Sequence, residues 1–254
     1  AVLGASQALG DFLVAHPEHL TALAPDRAWD APQEPGAGEA LRRAVGDVLG
    51  RADPADAAPS DSDKGPSQPG DAAVSRATAA LRRAYRDRLT AIVADDLTSA
   101  DPIEHVPTVC RRMTELADAA LDAALLVARA AVGPQADDVA LAVIAMGKTG
   151  ARELNYISDV DVVYVVGPTH EACGAQEPIS EERLVEVGTH VATELAHVVS
   201  ATAPEPPLWP LDTALRPEGK DGALVRTLDS HLAYYRRWAA SWEFQALLKA
   251  RACA

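Results

Sequence analysis

Aromatic side chains are scarce in this chain, at 4% of 254 residues, with only two Phe. An aromatic-rich β-sandwich is therefore not expected. Abundant alanine within a 48% hydrophobic composition points to closely packed helices instead. Cysteine is also rare. Cys110, Cys173 and Cys253 are odd in number and widely spaced, so they give neither a disulfide framework nor zinc-ligand spacing, and a reducing cytoplasm is the natural compartment. No run reaches the roughly 18 apolar residues of a membrane span, and no signal-peptide pattern is visible. Positive charge is the third shortage: 23 Lys and Arg face 37 Asp and Glu, for a net charge of −14. Binding a nucleic-acid backbone needs a basic face, so nucleic acid is not the expected partner. Any anionic substrate must be held by local cations against the overall field. The length suits one large domain or two small ones. The chain starts without Met and ends just after a helical pattern, so it is expected to be a piece of something longer.

What the chain does have is concentrated between Leu141 and Val166. The apolar run Leu141 to Met146, bounded by Gly147, reads as a buried strand. The β-branched run Val160 to Val166, stopped by Gly167-Pro168, reads as another. Between them lie Gly147-Lys148-Thr149-Gly150 and the acidic pair Asp159 and Asp161. Alternation sends both carboxylates to one face of the strand, roughly 6–7 Å apart. Two like charges at the mouth of an apolar strand repel each other and cost desolvation energy unless a cation sits between them. A hard divalent ion with oxygen ligands, Mg²⁺ or Mn²⁺, suits that pair. A nucleotide-binding P-loop is excluded, because its first glycine would fall at Ala142 inside the strand. Gly147 and Gly150 instead let backbone N–H groups approach a phosphate closely, with Lys148 adding positive charge.

Elsewhere the pattern is mostly helical. Residues 1–24 read as one or two short helices broken at His16-Pro17, residues 25–38 as loop, and 39–49 as an amphipathic helix. Residues 52–71 are polar, Pro-rich and of low complexity. Two long helices, about 72–97 and 107–132, suggest a hairpin packed on the sheet. Arg82, Arg83, Arg86 and Arg88 fall mostly off the apolar stripe of the first and read as a solvated face. A further helix spans 180–200, with His190 and His197 as ordinary surface or boundary residues. Residues 208–216 read as a third strand with Asp212 and Arg216 on one face, and Pro210 marks an edge or the strand's start. Facing Asp159 and Asp161, Asp212 would complete a three-carboxylate cage. The last pattern, 228–251, reads as one helix burying Leu232, Tyr235, Trp238, Trp242 and Ala246, with Lys249 and Arg251 complementing its dipole.

Two motifs carry a family resemblance. Gly147-Lys148-x-Gly150-x-x-Glu153-Leu154-x-x-x-Ser158-Asp159-x-Asp161 and Asp212-x-x-Leu215-Arg216-Pro217-Glu218-Gly219 resemble the nucleotidyltransferase motif of glutamine synthetase adenylyltransferases. The wording GARELNYISDVDVVYVV is similar to their N-terminal, adenylyl-removing half in actinobacteria. The resemblance is strong from about residue 139 onward, weaker over 1–24 and 72–132, and absent over 52–71. It implies an α+β, helix-rich, polymerase-β-like fold with a small mixed sheet flanked by long helices. With the composition of 52–71 it divides the chain into a helical segment (1–51), a linker or disordered insertion read from that low complexity (52–71) and a catalytic domain (72–254), with a helical hairpin over 72–132 and a core over 139–254. It implies removal of AMP from a tyrosine of glutamine synthetase by metal-dependent phosphorolysis, with phosphate consumed and ADP released, and a PII-type signalling protein as a further partner. Asp159, Asp161 and Asp212 would bind two Mg²⁺ (or Mn²⁺) ions. Gly147, Lys148 and Gly150 would hold phosphates, Arg216 would bind the attacking phosphate bidentately, and Ser158 would cap or orient the carboxylate turn. Glu153 reads as support behind the metal ligands. The alternatives are ATP-dependent adenylylation by the same residues, and a non-catalytic module that binds a nucleotide or a regulator.

Overall fold

The computed structural model describes residues 1–24, 36–50, 70–173 and 178–254. Most of the 52–71 segment therefore lies outside the described residues. Helices α1 (Val2–Ala5) and α2 (Gln7–Ala15) are followed by a 3₁₀ turn over Pro17–Leu23. His16 separates α2 from that turn, where the Pro17 ring ends the α-helical pattern. Helix α3 (Ala37–Leu49) buries Leu41 and Val45 in the main core against the long pair α4 (Asp71–Thr98) and α5 (Pro102–Val132). Val2 and Leu9 meet Val93 of α4 in a smaller cluster, so both parts of the N-terminal segment pack on α4.

Helix α5 starts five residues earlier than the expected 107. Asp101 caps it by accepting the Glu104 N–H at 3.2 Å, and Pro102 occupies the first turn, where no N–H is needed. Pro107 lies inside the helix on its exposed side, so the carbonyl its ring leaves unpaired can face water.

The sheet is small and mixed. Strand β1 (Val139–Ala145) runs antiparallel to β2 (Val160–Pro168), with Val143 opposite Tyr164. The short helices α6 (Gly147–Ala151) and α7 (His170–Cys173) follow β1 and β2. Helix α8 (Glu181–Ser200), capped by Ser180 accepting from the Arg183 N–H, crosses the sheet and returns the chain for two short strands parallel to β2. These are β3 (Leu211–Asp212), beside Val160 and Asp161, and β4 (Val225–Thr227), beside Tyr164 to Val166. Helices α9 (Leu228–Arg237) and α10 (Ser241–Leu247) lead to β5 (Arg251–Ala252), which pairs with Ala145 and Ile144 at the end of β1. Buried apolar residues of α5, α8 and the sheet (Leu121, Val127, Leu141, Val162, Val187, Leu195) form one continuous core. The architecture is helix-rich α+β.

The structure departs from the sequence expectation at three places. The 208–216 strand shrinks to Leu211–Asp212, because Asp212 accepts the Ala214 N–H at 2.7 Å and turns the chain at once. Pro210 precedes β3 at the sheet's edge and gives its carbonyl to the Val160 N–H at 3.0 Å. The 228–251 helix is two helices and a strand, interrupted at Trp238–Ala240. Its stripe is not core: Trp238 is 67% and Trp242 54% exposed. Arg82 is not solvated. It is wholly buried, and its guanidinium donates to the carbonyls of His197, Val198, Ala201 and Glu205 at 2.7–3.2 Å. Arg83 pairs with Glu205, and Arg86 donates to the carbonyls of Pro206 and Pro207. Helix α4 thus grips the segment that leads from α8 to Asp212. His190 and His197 are exposed, as expected.

Candidate metal centre

Strand β2 fixes the site because its register with β3 places Asp161 directly beside Asp212. Paired residues of neighbouring strands share a face, and Asp159 immediately precedes β2, two residues before Asp161. One oxygen of each of the three carboxylates lies within 4.8 Å of the others. Asp159 is exposed, and Asp161 and Asp212 are half-buried. Burial, then Asp159, then Asp212 push the Asp161 carboxyl above the ordinary carboxylate range, and Lys148 opposes them weakly. Among the described residues no Lys or Arg forms an ion pair with any of the three. The donor set is all oxygen, of one sign, and in no close ion pair with a protein cation, so it fits a hard divalent cation.

The turn after β1 is built against this cluster. Gly147 has φ +51°, and a Cβ there would overlap the Asp161 Oδ2. The Met146 N–H donates to the Asp161 carbonyl at 2.9 Å, fixing the backbone behind the carboxylate. Residues 147–150 are thus the start of helix α6 and not an open loop. Gly150 serves a packing need: a Cβ there would overlap the Lys249 carbonyl. Lys148 is exposed, and its Nζ lies 3.4 Å from the Asn155 Oδ1. Ser158 is half-buried beside Asp159.

Two expected residues are placed elsewhere. The Arg216 guanidinium is turned into its own loop and is not offered to a ligand. Its Nε donates to the Gly222 carbonyl, Nη1 to the Thr213 carbonyl and hydroxyl, and Nη2 to the Lys220 carbonyl, at 2.9–3.2 Å. With four of five donors spent, no bidentate fork remains for phosphate. Because residues 213–222 form a turn, Arg216 does not share a strand face with Asp212. Glu153 is exposed and pairs with Lys249 at 3.0 Å, a surface tie that does not support the metal ligands.

Sequence reasoning missed the last strand. Arg251 does not complement a helix dipole. Its guanidinium pairs with both oxygens of Asp118 on α5, at 2.8 and 3.0 Å, and donates to the Thr149 carbonyl of α6 at 3.1 Å. Arg226 of β4 was also missed; it lies beside Val165, on the face that carries Asp161, and is tied to Glu218. Only the basic residue types in an otherwise acidic chain hinted at either.

The family model for glutamate-ammonia ligase adenylyltransferase matches residues 1–254. Similar proteins include the bifunctional glutamine synthetase adenylyltransferase/adenylyl-removing enzymes of Bifidobacterium longum strain DJO10A (42% identity over 98% of this chain), Leifsonia xyli subsp. xyli (42% over 100%) and Mycolicibacterium smegmatis (45% over 100%). The chain spans 22%, 24% and 22% of those relatives respectively. A match from end to end, at these identities, shows that the chain belongs to the glutamate-ammonia ligase adenylyltransferase family.

Proposed function

We propose that the chain removes AMP from an adenylylated tyrosine of glutamine synthetase by phosphorolysis, releasing ADP, on a polymerase-β-like nucleotidyltransferase fold. The observation that carries this reading is the convergence of Asp159, Asp161 and Asp212 across two paired strands. In support, the relatives are named for both adenylyl transfer and adenylyl removal, and the wording around Asp159 is similar to the removing half. Transfer at phosphorus asks for positioning and charge neutralisation more than for covalent catalysis. Mg²⁺ or Mn²⁺ held by the three aspartates would supply the neutralisation.

The chain's own residues supply the rest. Gly147 and the Met146 hydrogen bond hold the Asp161 carboxylate in place. Lys148, at the exposed rim, presents an ammonium to an anionic substrate that the overall charge of −14 repels. A phosphate oxygen forms a bond to the AMP phosphorus, and the bond from that phosphorus to the tyrosine oxygen breaks. The tyrosine leaves as phenolate, takes a proton from water, and ADP results. No His neighbours the aspartates in sequence, and the reaction needs none, since phosphate is already an anionic nucleophile. Among the described residues no helix is long and apolar enough to cross a membrane.

The test is incubation with adenylyl-tyrosyl glutamine synthetase, phosphate and Mg²⁺, followed by product identification. ADP formation supports the reading. AMP incorporation from ATP into unmodified glutamine synthetase, with no ADP formed in the first assay, would replace it by the opposite reaction. Cation-dependent nucleotide binding without turnover in either assay would replace it by a binding module.

A further inference from the structure

The strand at the end of the described chain reaches the metal centre from behind. β5 pairs with the last two residues of β1, and the Cys253 N–H donates to the Val143 carbonyl at 3.0 Å. That pairing brings Arg251 under α6 from the side opposite Asp161. There the planar guanidinium spans two elements, holding Asp118 of α5 through both carboxylate oxygens and the Thr149 carbonyl through Nη2. Thr149 itself is 1% exposed, and its carbonyl is shared between the Arg152 N–H at 3.2 Å and this guanidinium, the one partner from outside the turn among the described residues. Two residues earlier, Gly147 lies against the Asp161 carboxylate so closely that no Cβ fits. Helix α6 has only five residues and no side-chain cap, so it has little rigidity of its own. It is wedged between Asp161 in front and the Arg251–Asp118 pair and the Lys249 carbonyl behind.

We infer that Arg251, locked by Asp118, is a positioning residue for the metal centre, acting through helix α6 to hold Gly147 against Asp161. The inference rests on the reading of the three aspartates as metal ligands. Residues that orient a metal ligand without touching the ion typically change metal affinity about 10–100-fold when replaced. The guanidinium is specific to the role. An ammonium is a single point charge, which cannot meet both Asp118 oxygens and the Thr149 carbonyl in one plane.

The experiment is Mn²⁺ titration of the substrate-free protein, following free Mn²⁺ by electron paramagnetic resonance, for wild type, Arg251→Met, Arg251→Lys and Asp118→Asn. Circular dichroism and thermal unfolding are recorded on each variant. The expected result is a Kd for Mn²⁺ raised about tenfold in both Arg251 variants and raised in Asp118→Asn. The Asp118→Asn/Arg251→Lys double variant should bind no more weakly than Arg251→Lys alone, since both changes break one unit. Lower Tm with unchanged Mn²⁺ affinity would mark Arg251 as structural only and overturn the inference, as would full affinity in Arg251→Lys. If Arg251→Met fails to fold, Arg251→Lys and Asp118→Asn decide the matter alone. Failure of the wild type to take up Mn²⁺ would sink the metal reading itself, an outcome distinct from uptake that the Arg251 variants leave untouched.

Discussion

Asp161 and Asp212 are cross-strand neighbours in a parallel pair only two residues long. Each strand's alternation turns them to the same face, so two like charges are held side by side where the backbone cannot separate them. Such a pair destabilises the empty protein, and on the proposed reading a bound cation would offset that repulsion. Asp161→Asn should therefore abolish ADP formation, a larger loss than the roughly 10–100-fold cost of an outer partner. In chelator its Tm should be no lower than that of wild type, because one of three mutually repelling charges is gone. Saturating Mg²⁺ should raise the wild-type Tm, by about 2.7 kcal/mol of stability at a hundredfold excess over Kd, and leave the variant unmoved. Equal Mg²⁺ stabilisation of both proteins, read by thermal unfolding, would remove Asp161 from the site.

Gly147 is the position where backbone and ligand compete for one space. Its φ of +51° costs an alanine about 1–2 kcal/mol, and the added methyl meets the Asp161 carboxylate directly. Gly147→Ala should lose activity out of proportion to stability: a drop of about 1–2 kcal/mol in urea unfolding, with Mg²⁺ activation shifted to higher concentration. Wild-type turnover in this variant would show that the turn is free to move away from Asp161.

The long periodic elements were legible in the sequence and the short ones were not, for a common reason. β1, β2, α4, α5 and α8 each carry enough residues for a repeat of two or 3.6 to show, and the pairing of Asp159 with Asp161 follows from that repeat alone. β3, β4 and β5 have two or three residues each, and only pairing with β1 and β2 makes them strands. Asp212 was still found because a carboxylate near a β-like run is chemically conspicuous. Arg216 was put on the face of Asp212 because the turn that follows Asp212 could not be seen inside the supposed strand. Arg82 follows Thr78 and Leu81 at helical spacing and precedes Tyr85 by three, so it belongs to the buried face and not off the stripe where the sequence reading set it. The waiting carbonyls of a segment over 100 residues away could not be read locally.

Arg82 is accordingly the side chain whose loss should cost most outside the apolar core. Its five hydrogen bonds serve four carbonyls, three at the α8 C-terminus and one beyond it. The His197 carbonyl keeps the Ala201 N–H, but those of Val198, Ala201 and Glu205 would lose this donor. Arg82→Met, close in length and without charge, should destabilise by about 3–5 kcal/mol in urea unfolding, the range for removing one partner of a buried charged network. It should also open residues 201–207 to proteolysis. A loss under about 1 kcal/mol, typical of exposed pairs, would mean that water reaches those carbonyls.

Arg216 separates a loop organiser from a phosphate ligand. If its guanidinium only stitches residues 213–222, Arg216→Ala should speed amide exchange across that turn. It should lower kcat/KM to a similar degree at every phosphate concentration, since Asp212 sits at the turn's root. A selective rise in the KM for phosphate with kcat intact would restore the ligand role.

His231 gives a pH dependence whose sign is set by burial. The ring is 6% exposed, its Nε2 lies 3.2 Å from the Tyr164 carbonyl of β2, and desolvation holds its pKa below the ordinary 6.5, with Arg226 adding to the effect. The carbonyl favours an Nε2–H, so the neutral ring with its proton on that atom is the folded form. The unfolded chain binds a proton at higher pH than the folded one does. Stability from this group is therefore fully present above 6.5 and is lost as pH falls from there through the depressed folded value. His231→Gln keeps a neutral donor for the carbonyl and cannot titrate. The difference in unfolding free energy, wild type minus His231→Gln, should be flat above about pH 7 and fall steadily below it, with all other carboxylates and histidines cancelling in the subtraction. A difference that is flat throughout, or that rises on acidification, would show the ring protonated in the folded protein and the contact with Tyr164 made by an imidazolium.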